Sequence, residues 1–253
     1  MKNLAIALPS RRSLFWIGFF ATILAAWVFL YAMAMMSGLD PVGRRVGANL
    51  MPMTTFGALF AMWAVMMSAM MLPTMVPTLQ TYDRLMQSAD GTRAGWIALL
   101  TGYMIAWGAF AAVIALAQLV LMRAGWVDNL GAMTSTLLTA GLLIVVGAFQ
   151  FTRTKEVCHG VCHSPMSYFL GHWRTGPAGG LRMGLHLGGY CVVCCWGFMA
   201  LGFVGGVMSL LWMGTATVFM VLEKLPQIGH HLIRPAGAAL ILSGLGVAAA
   251  SLY

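Results

Sequence analysis

Long uncharged runs alternate with short basic segments along the whole chain. A membrane-spanning helix needs about 20 predominantly apolar residues, because each residue rises about 1.5 Å and the hydrocarbon is about 30 Å thick. The run 14–36 follows Lys2, Arg11 and Arg12 and predicts a first helix, read as a retained anchor rather than a signal peptide because it outlasts a typical h-region. A second helix is predicted over 55–75, with Pro73 and Pro77 bending or ending it. Arg93 and Arg123 bracket a third near 95–122, and Asp128 and Arg153 a fourth near 131–151. The stretch 152–182 is the longest polar segment.

Residues 183–222 carry no formal charge. One straight helix of that length would be about 60 Å long, roughly twice the hydrocarbon. Two helices are therefore predicted, 183–203 and 207–222, turning at Gly202, Gly205 and Gly206. Pro235 is expected to open a last span, 235–252. The fold class that follows is all-α, a polytopic membrane helix bundle of about seven spans forming a single domain over 1–253.

Composition agrees. Hydrophobic residues make up 60% and charged residues 8%, with a mean hydropathy of +0.86, too little polar surface to cover a water-soluble globule. The net charge of +8 is scattered between apolar runs, so it reads as a topology signal and not as a nucleic-acid surface. With a cytoplasmic N-terminus, only Arg44, Arg45 and Arg123 of the 14 basic residues fall outside. Fusing the fifth and sixth spans would move Lys224 and Arg234 outside and weaken that bias. The expected location is the bacterial inner membrane.

All five cysteines lie in one quarter of the chain: Cys158 and Cys162 in the polar segment, Cys191, Cys194 and Cys195 in the fifth span. Helical residues three and four apart share a face, so Cys191 would stand beside Cys194 and Cys195. If Cys158-His159-Gly160-Val161-Cys162-His163 is helical, Cys158 pairs with Cys162 and His159 with His163. The set points to metal or redox chemistry, although a buried cysteine taken singly is often a small hydrophobe. Disulfides are disfavoured on a reducing cytoplasmic side. Zinc is an alternative for the polar segment, at a looser spacing than paired Cys-x-x-Cys.

Methionine is the second anomaly, at 22 residues. Met62, Met66 and Met70 repeat at four-residue intervals, and Met67, Met71 and Met75 follow on the neighbouring stripe. Thioethers beside thiolates are soft ligands that select Cu(I), with Met66 and Met70 as candidates; the same stripe would also pack a core. Ionisable groups inside a membrane are costly and therefore functional candidates. His186 shares a stripe with Tyr190 and Cys194, and Glu223 closes the sixth span, where Lys224 or a loop arginine could pair with it. Rossmann, P-loop, Ser-hydrolase and HExxH signatures are absent, so nothing in the sequence names an organic substrate, and a non-enzymatic role is favoured without closing the enzymatic one.

The segment Trp63 to Pro73, the Cys158-x3-Cys162-x2-Pro165 spacing, His172-Trp173-Arg174, the stretch Gly184 to Trp196 and Glu223-Lys224 together resemble the bacterial predicted metal-binding integral membrane proteins over roughly 50–245. The resemblance implies a polytopic inner-membrane protein that binds copper, some relatives being membrane copper chaperones that help supply copper-dependent oxidases. It carries a metal role onto Cys158, Cys162, Cys191, Cys194 and Cys195, and less firmly onto His159 and His163. The expected function is Cu(I) binding and delivery. The competing expectations are an accessory subunit packed against a larger membrane complex and a membrane thiol oxidoreductase.

Overall fold

The computed structural model describes residues 11–50, 53–86, 88–225 and 227–251. Lys2, Met51, Pro226 and the side chain of Arg11 lie outside that description. The described chain is helical apart from turns and two isolated β-bridges. Its helices are α1 (Arg11–Met36), α2 (Phe56–Met71), α3 (Val76–Leu85), α4 (Arg93–Arg123), α5 (Thr136–Phe149), α6 (Arg153–His163), α7 (Pro165–His172), α8 (Gly176–Ala200), α9 (Gly202–Gly205), α10 (Leu210–Glu223) and α11 (Gly229–Ala250).

Five stretches are long and apolar enough to cross a membrane: Arg12–Met36, Phe56–Leu85, Arg93–Arg123, Gly176–Gly205 and Gly229–Ala250. A sixth is added if α5 and α6, bent by 64° at their break, count as one span. The apolar α10 has 14 residues, about 21 Å of helix, which is short for a full crossing.

Proline acts at two places in the fold, as expected at Pro73 and against expectation at Pro235. At Pro73 the chain tightens into a 3-10 turn, Pro73–Met75, and then continues as α3 instead of ending. The turn moves the Met75 amide onto Leu72 O, and the Thr74 hydroxyl donates to the vacated Met71 carbonyl at 2.7 Å. Pro235 lies inside α11, which begins at Gly229, so it does not open that helix. The polar segment 152–182 holds α6, α7 and the start of α8.

The two longest neighbours, α4 and α8, pack through glycine. A Cβ at Gly184 would collide with Leu99 O, one at Gly180 with Gly95 O, and one at Gly102 with Leu181 O. Close backbone approach of this kind is how small residues join helices where no water drives association. It also sets Cys191 of α8 against Tyr103 of α4.

The connecting segments gather at two ends. At one, Arg45 pairs with Asp128 at 3.1 Å, Leu211 N donates to Pro41 O and Met133 N to Phe203 O. At the other, the buried Asp83 carboxylate accepts from Arg12, Trp16 and Arg93, fastening α1 to α3 and α4, while Trp173 Nε1 donates to Ala89 O at 2.8 Å. The stripe Met62, Met66, Met67, Met70, Met71 and Met75 is buried throughout.

Candidate functional site

A knot of thiols, hydroxyls and ammonium groups lies where α6, α8, the 3-10 turn and the end of α10 meet. Because α6 is helical and folds back at the α5 break, it carries Cys162 to the cysteine face of α8. Cys162 lies close to Cys191 and Cys194, and Cys195 close to both, so four thiols from two helices neighbour one another. Cys158, one turn earlier, is close enough to Cys194 and Lys155 to feel their charge. All five cysteines are free thiols.

Two lysines that the sequence pattern assigns to topology are buried here instead. Lys224 Nζ lies 2.9 Å from Cys191 Sγ and 3.1 Å from Thr74 Oγ1. Lys155 Nζ lies 2.5 Å from Glu223 Oε1, and donates at 3.1 Å to Cys194 O and at 3.4 Å to Cys194 Sγ. Glu223 is thus paired with Lys155, and among the described residues neither Lys224 nor an arginine is its ion-pair partner. An ammonium removed from water is tolerated only against a carboxylate or comparable acceptors.

The tyrosine side completes the knot. Tyr103 OH is 3.0 Å from Cys191 Sγ and 3.2 Å from Thr74 Oγ1. Lys224 donates to the Cys191 sulfur, and since the Thr74 hydrogen goes to Met71 O, the Tyr103 hydroxyl donates to Thr74 and is open to accept from the Cys191 thiol. Neither Thr74 nor Tyr103 has a spacing that announces a ligand.

The candidate histidines divide. His159 Nε2 donates to Glu223 O at 2.8 Å, since a carbonyl can only accept, which leaves Nδ1 unprotonated in the neutral ring. Gly229 allows that approach, because a Cβ there would collide with Glu223 O. His163, its ring 5.2 Å from that of His159, has a buried Nε2 with no hydrogen-bond partner among the described residues. His186 is exposed and contacts Tyr168, His172 and Tyr190, so its stripe does not bring it into the thiol ring. Met66 and Met70 contribute to the core above the Pro73 bend, and the hydrogen-bond chain meets α2 only at the Met71 carbonyl.

A cavity of about 450 Å³ opens beside the knot, lined by Gln150, Glu156, His159, His230, His231 and Arg234 among others. His159 stands between this cavity and the Glu223–Lys155–Cys194 chain. Among the described residues no group of three or more His, Cys, Asp or Glu side chains is disposed to hold a metal ion as it stands. The hydrogen-bonding directions of Cys191 and Cys194 are instead directed at ammonium groups.

A family model described as a copper chaperone, PpoB2, matches residues 60–247, and the chain belongs to that family. The matched region contains every residue of the thiol knot. No curated protein and no solved structure matches the chain.

Proposed function

We propose that this member of the copper chaperone family is a multi-pass membrane protein that receives Cu(I) as cargo in the ring of Cys162, Cys191, Cys194 and Cys195 and passes it to a copper-requiring partner. The observation that carries the reading is the meeting of thiols from two separate elements, the half-buried Cys162 of α6 and the buried cysteines of α8. Thiolates with nearby thioethers are soft donors, which favour Cu(I) over harder metals.

In the metal-free protein the buried lysines act as stand-in cations. Lys224 on Cys191 and Lys155 on Cys194 supply positive charge beside sulfurs that must lose their protons to bind metal. Copper brings its own charge, and the arriving ion takes the place of the ammonium contacts. Lys155 then retains Glu223, so it is not left as an unpaired buried charge. The free Nδ1 of His159 and Nε2 of His163 are exchangeable ligands between the ring and the histidine-lined cavity. Exchangeable ligands suit a carrier, which must release what it binds.

The bundle reads as seven passes with the N-terminus in the cytoplasm, α10 serving as a short pass. On that reading the knot lies close to the cytoplasmic face of a bacterial inner membrane, and the recipient is a copper-dependent oxidase or a larger membrane complex. The methionine stripe of α2 is the route or second station on the other side of Pro73.

The test is the metal content of protein purified in detergent under reducing, anaerobic conditions. About one equivalent of copper, lost when Cys191, Cys194 and Cys195 are changed to serine, is expected. No copper in either protein, with a stoichiometric partner copurifying, would replace the reading with that of an accessory subunit. A redox-dependent disulfide that turns over with a substrate thiol would replace it with an oxidoreductase.

A further inference from the structure

His172-Trp173-Arg174 and His186 belong to the sequence pattern but not to the thiol knot, and they meet at a separate place. A cavity of about 430 Å³ between α7 and the first half of α8 is lined by Tyr168, His172, Arg174, Arg182, Leu185 and His186. No acidic side chain lines it. Among the described residues neither Arg174 nor Arg182 takes part in an ion pair, whereas Arg12, Arg45 and Arg93 each have a carboxylate partner.

The aromatic and imidazole groups are held in place. Tyr168 and His172 stack at 4.8 Å with planes 5° apart, and His172 Nδ1 donates to Tyr168 O at 3.1 Å. Tyr168 OH lies 3.1 Å from His186 Nδ1, and the two imidazole rings are 5.4 Å apart. His172 therefore carries its proton on Nδ1 in the neutral ring, whereas His186 can accept from Tyr168 OH at Nδ1 and keep an Nε2–H for a ligand. Burial and the neighbouring Tyr190 push the Tyr168 hydroxyl up to about 12, so it carries no negative charge at neutral pH. Trp173 is anchored by Ala89 O and by its ring contact with Tyr82 at 5.0 Å, which fixes the backbone that bears Arg174.

We infer that this cavity binds a phosphate group, that of an anionic phospholipid headgroup. Two guanidinium groups and the Nε2–H of His186 around a pocket with no carboxylate are suited to an anion with several acceptor oxygens. The lipid source follows from the apolar residues beside it. Leu185 on the cavity wall is 40% exposed, and the exposed Met166 and Leu170, four residues apart, give α7 an apolar face turned away from Tyr168 and His172. The outer face of α7 would lie in the membrane interface, and an acyl chain would run along Leu185 while the headgroup occupies the arginine pocket. The inference does not depend on copper, and its failure would leave the thiol site untouched.

The test is native mass spectrometry of the full chain released from nanodiscs of phosphatidylglycerol and phosphatidylcholine. Retained phosphatidylglycerol is expected for the natural sequence, with apparent affinity falling on the order of tenfold or more in R174Q/R182Q. The charge-matched variant R84Q/R153Q, altered at exposed arginines outside the cavity, should retain it fully. A parallel titration with inorganic phosphate in neutral detergent separates the sources. Stabilisation by phosphate alone, abolished in R174Q/R182Q, keeps the phosphate site but assigns it a soluble ligand. Equal retention in both variants, or equal loss in both, overturns the inference, and monodisperse R174Q/R182Q with the thermal unfolding and circular-dichroism spectrum of the natural sequence excludes misfolding as the cause.

Discussion

Lys224 reaches 2.9 Å from the Cys191 sulfur, a contact between residues 33 apart in sequence that ties the end of α10 to the middle of α8. The same ammonium bonds Thr74 in the Pro73 turn, so one side chain joins three elements. Its burial is sustained by polar partners, and those partners are the candidate ligands. Structure and chemistry in this protein therefore share the same atoms.

The first prediction concerns the other lysine. Lys155 and Glu223 are 0% and 1% exposed, so replacing one alone leaves the other charge buried and unpaired. Lys155→Met should lower stability by about 3–5 kcal/mol, and Lys155→Met with Glu223→Met should recover much of that loss. Thermal unfolding in detergent across the double-mutant cycle measures the coupling. Additive losses would show that the pair is not coupled.

A second prediction uses thiol proximity. Because Cys162 lies close to Cys194, mild oxidation should join α6 to α8 covalently in the metal-free protein. With a protease site inserted next to Trp173, the joined fragments should migrate together until reduced, and Cu(I) loading should protect the thiols. Fragments that separate after oxidation would place the two cysteines too far apart.

The packing of α4 on α8 makes a third. Gly184→Ala forces a Cβ into Leu99 O and should destabilise by about 1–3 kcal/mol or prevent assembly, whereas Gly189→Ala, with nothing within 4 Å, should be tolerated. The fraction monodisperse by size exclusion reads the difference. Equal behaviour of the two variants would contradict the close approach.

The fourth concerns topology. Single cysteines placed near Arg45 or Trp126, in a chain with its own cysteines changed to serine, should label from the outside of intact cells. Those near Asp90 or Arg174 should label only after lysis. The reverse pattern would invert the bundle.

How much of this was legible in the sequence differs by residue. The face shared by Cys191, Cys194 and Cys195 follows from helical spacing alone, and so does the pairing of His159 with His163 once that segment is helical. The helix through 93–123 is bounded by its own arginines within two residues of the expected ends. Lys155 and Lys224 were illegible, because a lysine between apolar runs is ordinarily a solvated topology signal. Only the fold reveals that Glu223, Cys194, Thr74 and Cys191 surround them. Pro235 misleads because a proline's preference for helix starts is statistical, and α11 accommodates it internally. His186 shares a stripe with Cys194, yet α7 supplies the partner that claims it.

The central claim, one copper site built from both α6 and α8, is tested most directly by sulfur coordination of bound Cu(I) in the natural sequence and in Cys162→Ser. X-ray absorption at the copper edge should show an all-sulfur environment, and Cys162→Ser should lose one sulfur ligand together with affinity for copper. An unchanged spectrum and unchanged affinity in Cys162→Ser would contradict the shared site and confine any metal to α8.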